Sequence, residues 1–531
     1  MPGLLHELIF ARAERTPSAI ALRLRDAEQD YATLAEAVGR FAAACAGRGL
    51  EAAGRVAIWL PKRFETVAAI FGACAAGGAF VPVNPLLKPE QVGYILNDCN
   101  VRILVTDRER ARLLAGTLAG CADLHTLVVL DSRGPEDLPK LAHVESLAWE
   151  TLLAEGERRP VHRRIDTDLV SILYTSGSTG RPKGVCLSHR NMLTGAWSVA
   201  QYLGNSADDH LLAVLPFSFD YGLSQLTTAF HVGARVTLMD YLLPRDVVRA
   251  VAKHGITGLA AVPPLWVQLA QLDWPAEAVA SLRYLTNSGG KMPRATLEAL
   301  RAKLPETTPF LMYGLTEAFR STYLPPAELD RRPDSIGKAI PYAEILVVRE
   351  DGSACAPGEP GELVHRGSLV GLGYWNDPVK TAERYKPAPG QPAGLVNPEL
   401  AVWSGDTVRM DEDGYLYFIG RRDDMIKTSG YRVSPTEVEE VLYGSGLVAE
   451  AAAIGVAHGT LGQAVVAVIQ PAADAPADDE ALLAHCKRVL PNFMVPLCFV
   501  RRAALPRNPN GKIDRKQLAG ELETLYAETG A

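Results

Sequence analysis

From residue 54 onward, short apolar runs alternate with longer segments of helical period: RVAIWL, KRFETVAAIFGACAAG, AFVPV, KPEQVGYILNDC, RILVTD, RERARLLAGTLAG and TLVVL. Strands that are apolar on both faces and separated by helix-length connections belong to parallel sheets, because a parallel pair needs a crossover of a dozen or more residues. The alternation resumes after a polar stretch at 131–168, read as a linker, and runs from LVSILYTSG to PFLMYG. Two βα-rich lobes are expected. Beyond Gly337 the text changes to short strands and turns, AEILVVREDGSACAPGEPGELVHRG and DEDGYLYFIG, with Gly352 and Gly414 at the turns. This predicts a smaller β subdomain. After residues 421–424 an α+β pattern opens with the helix SPTEVEEVLYG, where Ser434 and Glu437 can form a capping box and Pro435 takes the first helical position. The expected organisation is α/β: a large N-terminal domain, 1–422, of βα-rich lobes plus a β subdomain, and a smaller α+β C-terminal domain, 423–531.

Charge excludes one class of partner. With 54 basic and 61 acidic residues the formal net charge is −7, so no whole-chain basic field exists to gather nucleic acid. The eight cysteines are scattered without CxxC pairs or zinc spacing, which reads as reduced thiols of a cytoplasmic protein. The most apolar stretch, 67–83, is broken by Gly77-Gly78 and Pro82 and reads as a buried helix turning into a strand, so no membrane span is expected. The N-terminus lacks the pattern of a signal peptide.

The strongest local signal is TSGSTGRPKG at 175–184, after the apolar LVSILY and, by its sequence context, before a helix. Thr175, Ser176, Gly177, Ser178, Thr179 and Gly180 let backbone amides and hydroxyls approach phosphate oxygens, and Lys183 adds a cation that a triphosphate can use. A flexible linker would have no reason to end in Pro-Lys-Gly between two regular elements. Nor is this a Walker loop, which needs Gly-Lys-Ser/Thr after a first glycine and four residues.

Seven ordered motifs carry a wider resemblance: GGAFVPVNP at 77–85, YTSGSTGRPKGV at 174–185, NSGG at 287–290, YGLTE at 313–317, SGD at 404–406, GRRDDMIKTSGYRVSPTEVE at 420–439 and NPNGKIDR at 508–515. In these the chain resembles the adenylate-forming superfamily of acyl-CoA synthetases, peptide-synthetase adenylation domains and beetle luciferases. Tyr313, with its aromatic face, and Gly289 and Gly290, which permit close approach, can sandwich adenine. Thr316 can meet the α-phosphate and Glu317 can hold Mg²⁺ beside phosphate oxygens. The resemblance implies that Asp406 binds the ribose hydroxyls, that Arg421 is a second ribose and phosphate contact, and that Asp423 is the hinge of a mobile C-terminal domain. It further implies that Lys512 is the lysine brought to the reacting carboxylate and α-phosphate. After rotation of the small domain, the face bearing Lys427 and Gly430 would admit a pantetheine thiol. Taken singly, each residue has a blander reading: a core tyrosine, a solvated charge cluster at 421–424, a lysine in a surface turn.

The acid pocket departs from the common pattern. Where many acyl-CoA synthetases resemble LP-x-FH-x-x-G, this chain reads LPFSFDYG, with Phe219 at the usual histidine and Asp220 next. Peptide-synthetase adenylation domains often show Phe-Asp here, the Asp pairing with a substrate α-amino group; equally, Asp220 can N-cap the following helix. Ser404 and Asn508 replace the frequent threonines of their motifs without altering the chemistry. PFSFDYGLSQLTTAF and LMDYLLPRDVV also resemble bacterial acyl-CoA ligases associated with exosortase and exopolysaccharide gene clusters. Some nineteen residues follow Lys512, too few for a carrier domain, so the thiol acceptor is expected in trans.

The expected activity is an AMP-forming acid–thiol ligase that uses ATP, Mg²⁺ and a small-molecule carboxylic acid, with CoA as the favoured acceptor. The alternatives are an amino-acid-activating ligase that loads a discrete carrier protein through its phosphopantetheine, and a nucleotide-binding regulatory protein that has lost activity.

Overall fold

A computed structural model describes residues 2–154, 162–175, 182–392, 394–421, 425–428, 431–458, 461–472, 478–509 and 511–526. Within them, eight strands form one sheet, in which Arg55–Trp59 lies at the centre between parallel neighbours Ala79–Pro82 and Val101–Asp107. Fourteen strands form a second sheet. Its parallel part runs through Arg235–Leu238, His210–Ala213, Gly258–Ala261, Tyr284–Asn287 and Thr308–Tyr313. The antiparallel strands Thr322–Leu324, Ser335–Ala339, Leu416–Arg421 and Leu400–Met410 continue this same sheet, so the β subdomain grows from the edge of the second lobe.

Strand periodicity explains the layering. Successive side chains point to opposite faces: Val56 and Ile58 enter a core shared with Phe41, Phe71 and Phe230, whereas Ala57 and Trp59 enter an outer core with Ile95 and Leu114. Likewise Leu211 and Ala213 face the shared core and Leu212 the opposite one, with Val247 and Trp266. Helices Tyr31–Gly47, Phe64–Ala75, His189–Leu203 and Asp220–Val232 thus lie between the two sheets, and further helices cover both outer faces. The middle layer is close-packed. A Cβ on Gly72 would lie 2.7 Å from Phe41 Cδ1, and Phe41 stacks on Trp149 at 5.1 Å. Each fully buried aromatic ring there contributes about 1.5–3 kcal/mol.

The chain after residue 424 builds a separate five-stranded sheet around Val448–His458 and Gly462–Pro471, with its own apolar clusters packed by helices Pro435–Gly444, Asp479–Val489 and Arg515–Glu521.

Three local expectations need correction. The stretch 131–168 is not only linker, since Glu145–Ala148 is the edge strand of the first sheet and Trp149–Ala154 a short helix whose Trp149 enters the core. Strand alternation also starts before residue 54: Ile20–Leu24 pairs in parallel with Arg235–Leu238 of the second lobe. Ser434 holds the N-cap position and Pro435 is the first helical residue, but the Ser434 side chain makes no capping hydrogen bond and the capping box is absent, because its hydroxyl is turned to Thr436 Oγ1 at 2.8 Å.

The junction of the second lobe with the β subdomain depends on Gly337. Its φ is +86°, and a Cβ would come within 1.8 Å of the Tyr323 carbonyl oxygen on the paired strand. Gly337→Ala is expected to cost about 2–4 kcal/mol, from left-handed strain plus overpacking. The measurement is the midpoint of chemical unfolding; an unchanged midpoint would contradict this packing.

Candidate active site

The site gathers at the C-terminal ends of the parallel strands, where open α/β sheets place their ligand crevices. Tyr313 and Asn287 end their strands, Val262 follows Gly258–Ala261, and Phe219 and Asp220 lie just beyond His210–Ala213. The C-terminal unit reaches over this edge. Asn84 Nδ2 donates to the Pro509 carbonyl at 2.7 Å, Arg294 N to Glu440 Oε1 at 3.2 Å, and Lys291 Nζ lies 3.4 Å from Glu440 Oε2.

Lys512 rides on the turn docked by that contact. Gly511 takes φ +81°, Asn508 N donates to the Lys512 carbonyl at 2.8 Å, and Lys512 N donates to Asn508 Oδ1 at 3.0 Å. Two ion pairs brace the turn: Arg507 with Glu450, and Arg515, which reaches both Glu439 oxygens at 2.9 and 2.6 Å. The ammonium projects over the Phe219 ring at 5.3 Å. Gly289 makes this possible. A Cβ there would lie 2.8 Å from Lys512 Cε, so the space its missing side chain leaves is filled by the lysine. Burial, reinforced by the Arg421 charge, pulls the Lys512 pKa down to about 8, against the opposing pull of Asp220 and Asp406.

Asp406 and Arg421 are direct cross-strand partners, and Arg421 Nε lies 3.1 Å from Asp406 Oδ1. Tyr313 donates its hydroxyl to Asp406 Oδ2, and the Asp406 amide donates to Ser404 Oγ at 3.0 Å. Burial raises the Asp406 pKa despite the Arg421 charge and the Tyr313 hydrogen bond. Oδ1 is buried and accepts no hydrogen bond among the described residues; the same holds for Asn287 Oδ1. Two acceptors here are therefore suited to donors from a bound molecule.

Glu317 follows Thr316 in a single turn of 3₁₀ helix and accepts the Tyr374 hydroxyl at 2.5 Å. Lys183 Nζ sits 5.3 Å over the Tyr374 ring, and burial followed by repulsion from Lys380 and Arg384 lowers its pKa. Arg384, anchored to the Trp403 carbonyl at 2.8 Å, stands against burial because Glu317, Tyr374 and Asp406 hold its proton above the usual range. Two cations thus flank one carboxylate. Mg²⁺ keeps most of its coordination from water and phosphate and needs one or two protein carboxylates, so Glu317 beside these cations fits a magnesium–triphosphate.

Asp220 is the first residue of its helix, not the N-cap, which is Phe219 and carries no capping side chain. The cap expectation is thereby corrected: the Asp220 carboxylate turns inward, accepting from Arg320 Nη1 at 2.9 Å and from Thr316 Oγ1 at 3.4 Å. The phosphate-loop context is corrected too. Lys183–Ser188 is a returning strand, Thr175 pairs with Lys183 in antiparallel register, and the helix begins only at His189. The apolar VCL of KGVCLS extends the sheet, so any phosphate contact of Lys183 comes from a strand, not a helix N-terminus. Ser176, Gly177, Ser178, Thr179, Gly180, Asp423 and Gly430 lie outside the described residues. Gly290 abuts Pro263 Cγ at 3.1 Å from where a Cβ would sit, and Lys427 is exposed on the strand Ile426–Thr428.

Sequence reasoning missed Arg320, Arg384 and Tyr374. The first follows YGLTE by three positions and could have been flagged there; the other two have no local signal.

Comparison with known proteins identifies the lineage. The AMP-binding enzyme family profile matches residues 9–375, and the AMP-binding enzyme C-terminal domain matches 437–512. The chain belongs to the AMP-binding enzyme family. This AMP-binding enzyme is 31% identical to the long-chain-fatty-acid–CoA ligase of Salmonella typhimurium, over 90% of its own length and 86% of the relative. It is also 31% identical to the L-proline–[L-prolyl-carrier protein] ligase of Pseudomonas fluorescens, over 98% and 99%. Other curated relatives are far longer: the chain spans 10% of a linear gramicidin synthase polypeptide of Brevibacillus parabrevis, at 30% identity over 98% of this chain. Its fold matches crystalline ATP-bound MatB from Rhodopseudomonas palustris with a TM-score of 0.86 and 26% identity, over 99% and 100% of the two chains. Among the described residues no helix is long and apolar enough to cross a membrane.

The buried position of Lys512 has a thermodynamic signature. Unfolded, its ammonium holds the proton to about 10.5; docked, only to about 8. Between those values the unfolded state binds more protons, so this group's contribution to stability rises with pH. Relative to Lys512→Met, the wild-type chain should gain stability from pH 8 to pH 10.5 and show a flat difference below pH 8. Paired denaturant titrations measure this; a difference independent of pH would mean the ammonium is not held as described.

Proposed function

We propose that this AMP-binding enzyme is an AMP-forming acid–thiol ligase. It joins a carboxylic acid to AMP with release of pyrophosphate, then passes the acyl group to a pantetheine thiol, with CoA the favoured acceptor. The observation that carries this reading is Lys512, held over Phe219 by the docked C-terminal unit within the charge field of Asp220 and Asp406.

Each group then has a task. Asp406, whose Oδ1 is met only by the Arg421 ion pair, and Arg421 take the ribose hydroxyls, and Tyr313 flanks adenine. Lys183, Arg384 and residues 175–180 hold the phosphates, with Thr316 at the α-phosphate and Glu317 as the protein ligand of Mg²⁺. The metal, when bound, neutralises charge on the leaving pyrophosphate. The acid carboxylate attacks the α-phosphorus; the P–O bond to pyrophosphate breaks, and negative charge grows on the oxygens facing Lys512. A preorganised donor at that point is worth about 3–4 kcal/mol. Burial lowers its pKa, and a nucleotide anion beside it raises the pKa again.

The chain divides, on this reading, at Asp423, about which residues 423–531 turn after adenylation. That motion withdraws Lys512 and presents Lys427 and Gly430, where a glycine lets the thiol arm pass and Lys427 supports thioester formation. The protein acts in the cytoplasm, where ATP and CoA are found.

Lys512→Ala is expected to lower acid-dependent pyrophosphate release by at least about 10²-fold while circular dichroism stays unchanged; near-normal release removes Lys512 from the mechanism. Gly430→Leu should leave pyrophosphate release within about threefold and lower thioester formation by at least about tenfold. Equal loss in both half-reactions would take away the thiol-channel role.

A further inference from the structure

Arg320 and Asp220 form an ion pair that is closed on all sides. The two residues are 2% and 4% exposed, with Nη1 to Oδ2 at 2.9 Å. Two further guanidinium donors are used: Nη2 donates to Ser224 Oγ at 2.8 Å and Nη1 also to the Phe319 carbonyl at 2.9 Å. The cation lies over the Tyr221 and Phe319 rings at 4.9 and 5.3 Å.

The backbone is strained to put it there. Phe319 adopts φ +57°, ψ −45°, and Arg320 N donates to the Ala318 carbonyl at 2.6 Å, a three-residue turn of the rare, strained γ kind. Such a conformation persists only where its surroundings over-determine it, and these cluster at functional sites. Here the Phe319 ring is clamped against Gly195, where a Cβ would come within 2.3 Å of Cδ1. Phe319 inward on one side and Arg320 inward on the other fix the turn that begins with Thr316 and Glu317.

We propose that Arg320 sets the acid class of this enzyme: by neutralising Asp220 it makes the site select carboxylic acids that carry no α-ammonium group. The inference rests on the acid–thiol ligase reading above. Lys512 stands in the charge field of two carboxylate–guanidinium pairs, Asp220 with Arg320 and Asp406 with Arg421, a local net of +1. A simple carboxylate brings −1 and balances it. An amino acid brings its carboxylate together with an ammonium, which finds Asp220 already engaged by the Arg320 guanidinium and Asp406 by Arg421. Releasing Asp220 for the substrate would leave Arg320 buried and unpaired, which is strongly unfavourable.

The test is ATP–pyrophosphate exchange with matched acids, each with and without an α-amino group: hexanoate and 2-aminohexanoate, 3-phenylpropanoate and phenylalanine, and longer aliphatic pairs. Wild-type enzyme is expected to favour the des-amino member by at least about 100-fold in kcat/KM, since like-charge juxtaposition costs several kcal/mol. Arg320→Gln should cut that ratio at least about tenfold, chiefly through a lower KM for the amino acid, and Arg320→Lys, which keeps the charge, should restore most of it. A wild-type preference for amino acids, or none, overturns the inference and leaves the ligase reading standing. An unchanged ratio in Arg320→Gln overturns the assignment to Arg320. Exchange with no acid of either kind overturns both. If Arg320→Gln fails to fold, the wild-type and Arg320→Lys ratios still decide.

Discussion

A cation from one structural unit is held inside a crevice of another. Lys512 can reach over Phe219 only because Gly289 has no side chain, because Gly511 turns left-handed, and because Arg507 and Arg515 brace the turn from behind. Burying an ammonium disfavours its charge, and the depressed pKa is the mark of that opposition. In the proposed reaction a developing anion at the α-phosphorus offsets it, so on that reading the arrangement is costly at rest and favourable in the transition state, which is the condition for an interaction to accelerate chemistry and not merely tighten binding.

The rest of the site keeps opposite charges separated into tasks. Asp406 is buried against Arg421 and Tyr313, Glu317 against Tyr374 with Lys183 and Arg384 around it, and Asp220 against Arg320. Asp406 is held by Tyr313 of the second sheet, Asp220 by Arg320 just past the same strand, and Glu317 by Tyr374 on a strand of the first sheet, each partner distant in sequence. The sheet junction at Gly337 therefore matters to chemistry, since it sets where the Asp406 strand lies relative to the Tyr313 strand.

Much of this is legible in the chain itself. Apolar runs at sheet period point to the two lobes, and of the motif residues Tyr313, Thr316 and Glu317 fall at or just past a strand end, Asp406 within a long strand and Lys512 on a docked turn. What escapes is non-local. Arg320 is separated from Asp220 by 100 positions, and nothing in LPFSFDYG tells a helix cap from a buried ion pair. Arg384 and Tyr374 lie in segments without a motif and join the site only through the fold. KGVCLS reads as the approach to a helix yet is itself a strand, because a short apolar run carries no periodicity to separate the two. The strand Glu145–Ala148 and helix Trp149–Ala154 are too brief to stand out from polar surroundings.

The central claim is that the docked position of the C-terminal unit is the one in which the acid is activated. Asn84 and Pro509 touch across that contact at 2.7 Å, so Asn84→Cys with Pro509→Cys, joined by a short bifunctional thiol reagent, locks it. The locked enzyme should still form acyl-AMP in a single turnover with ATP, Mg²⁺ and acid, and should fail to transfer the acyl group to CoA until the link is cleaved. A locked enzyme that forms no adenylate, or that completes the thioester at the normal rate, would contradict the account.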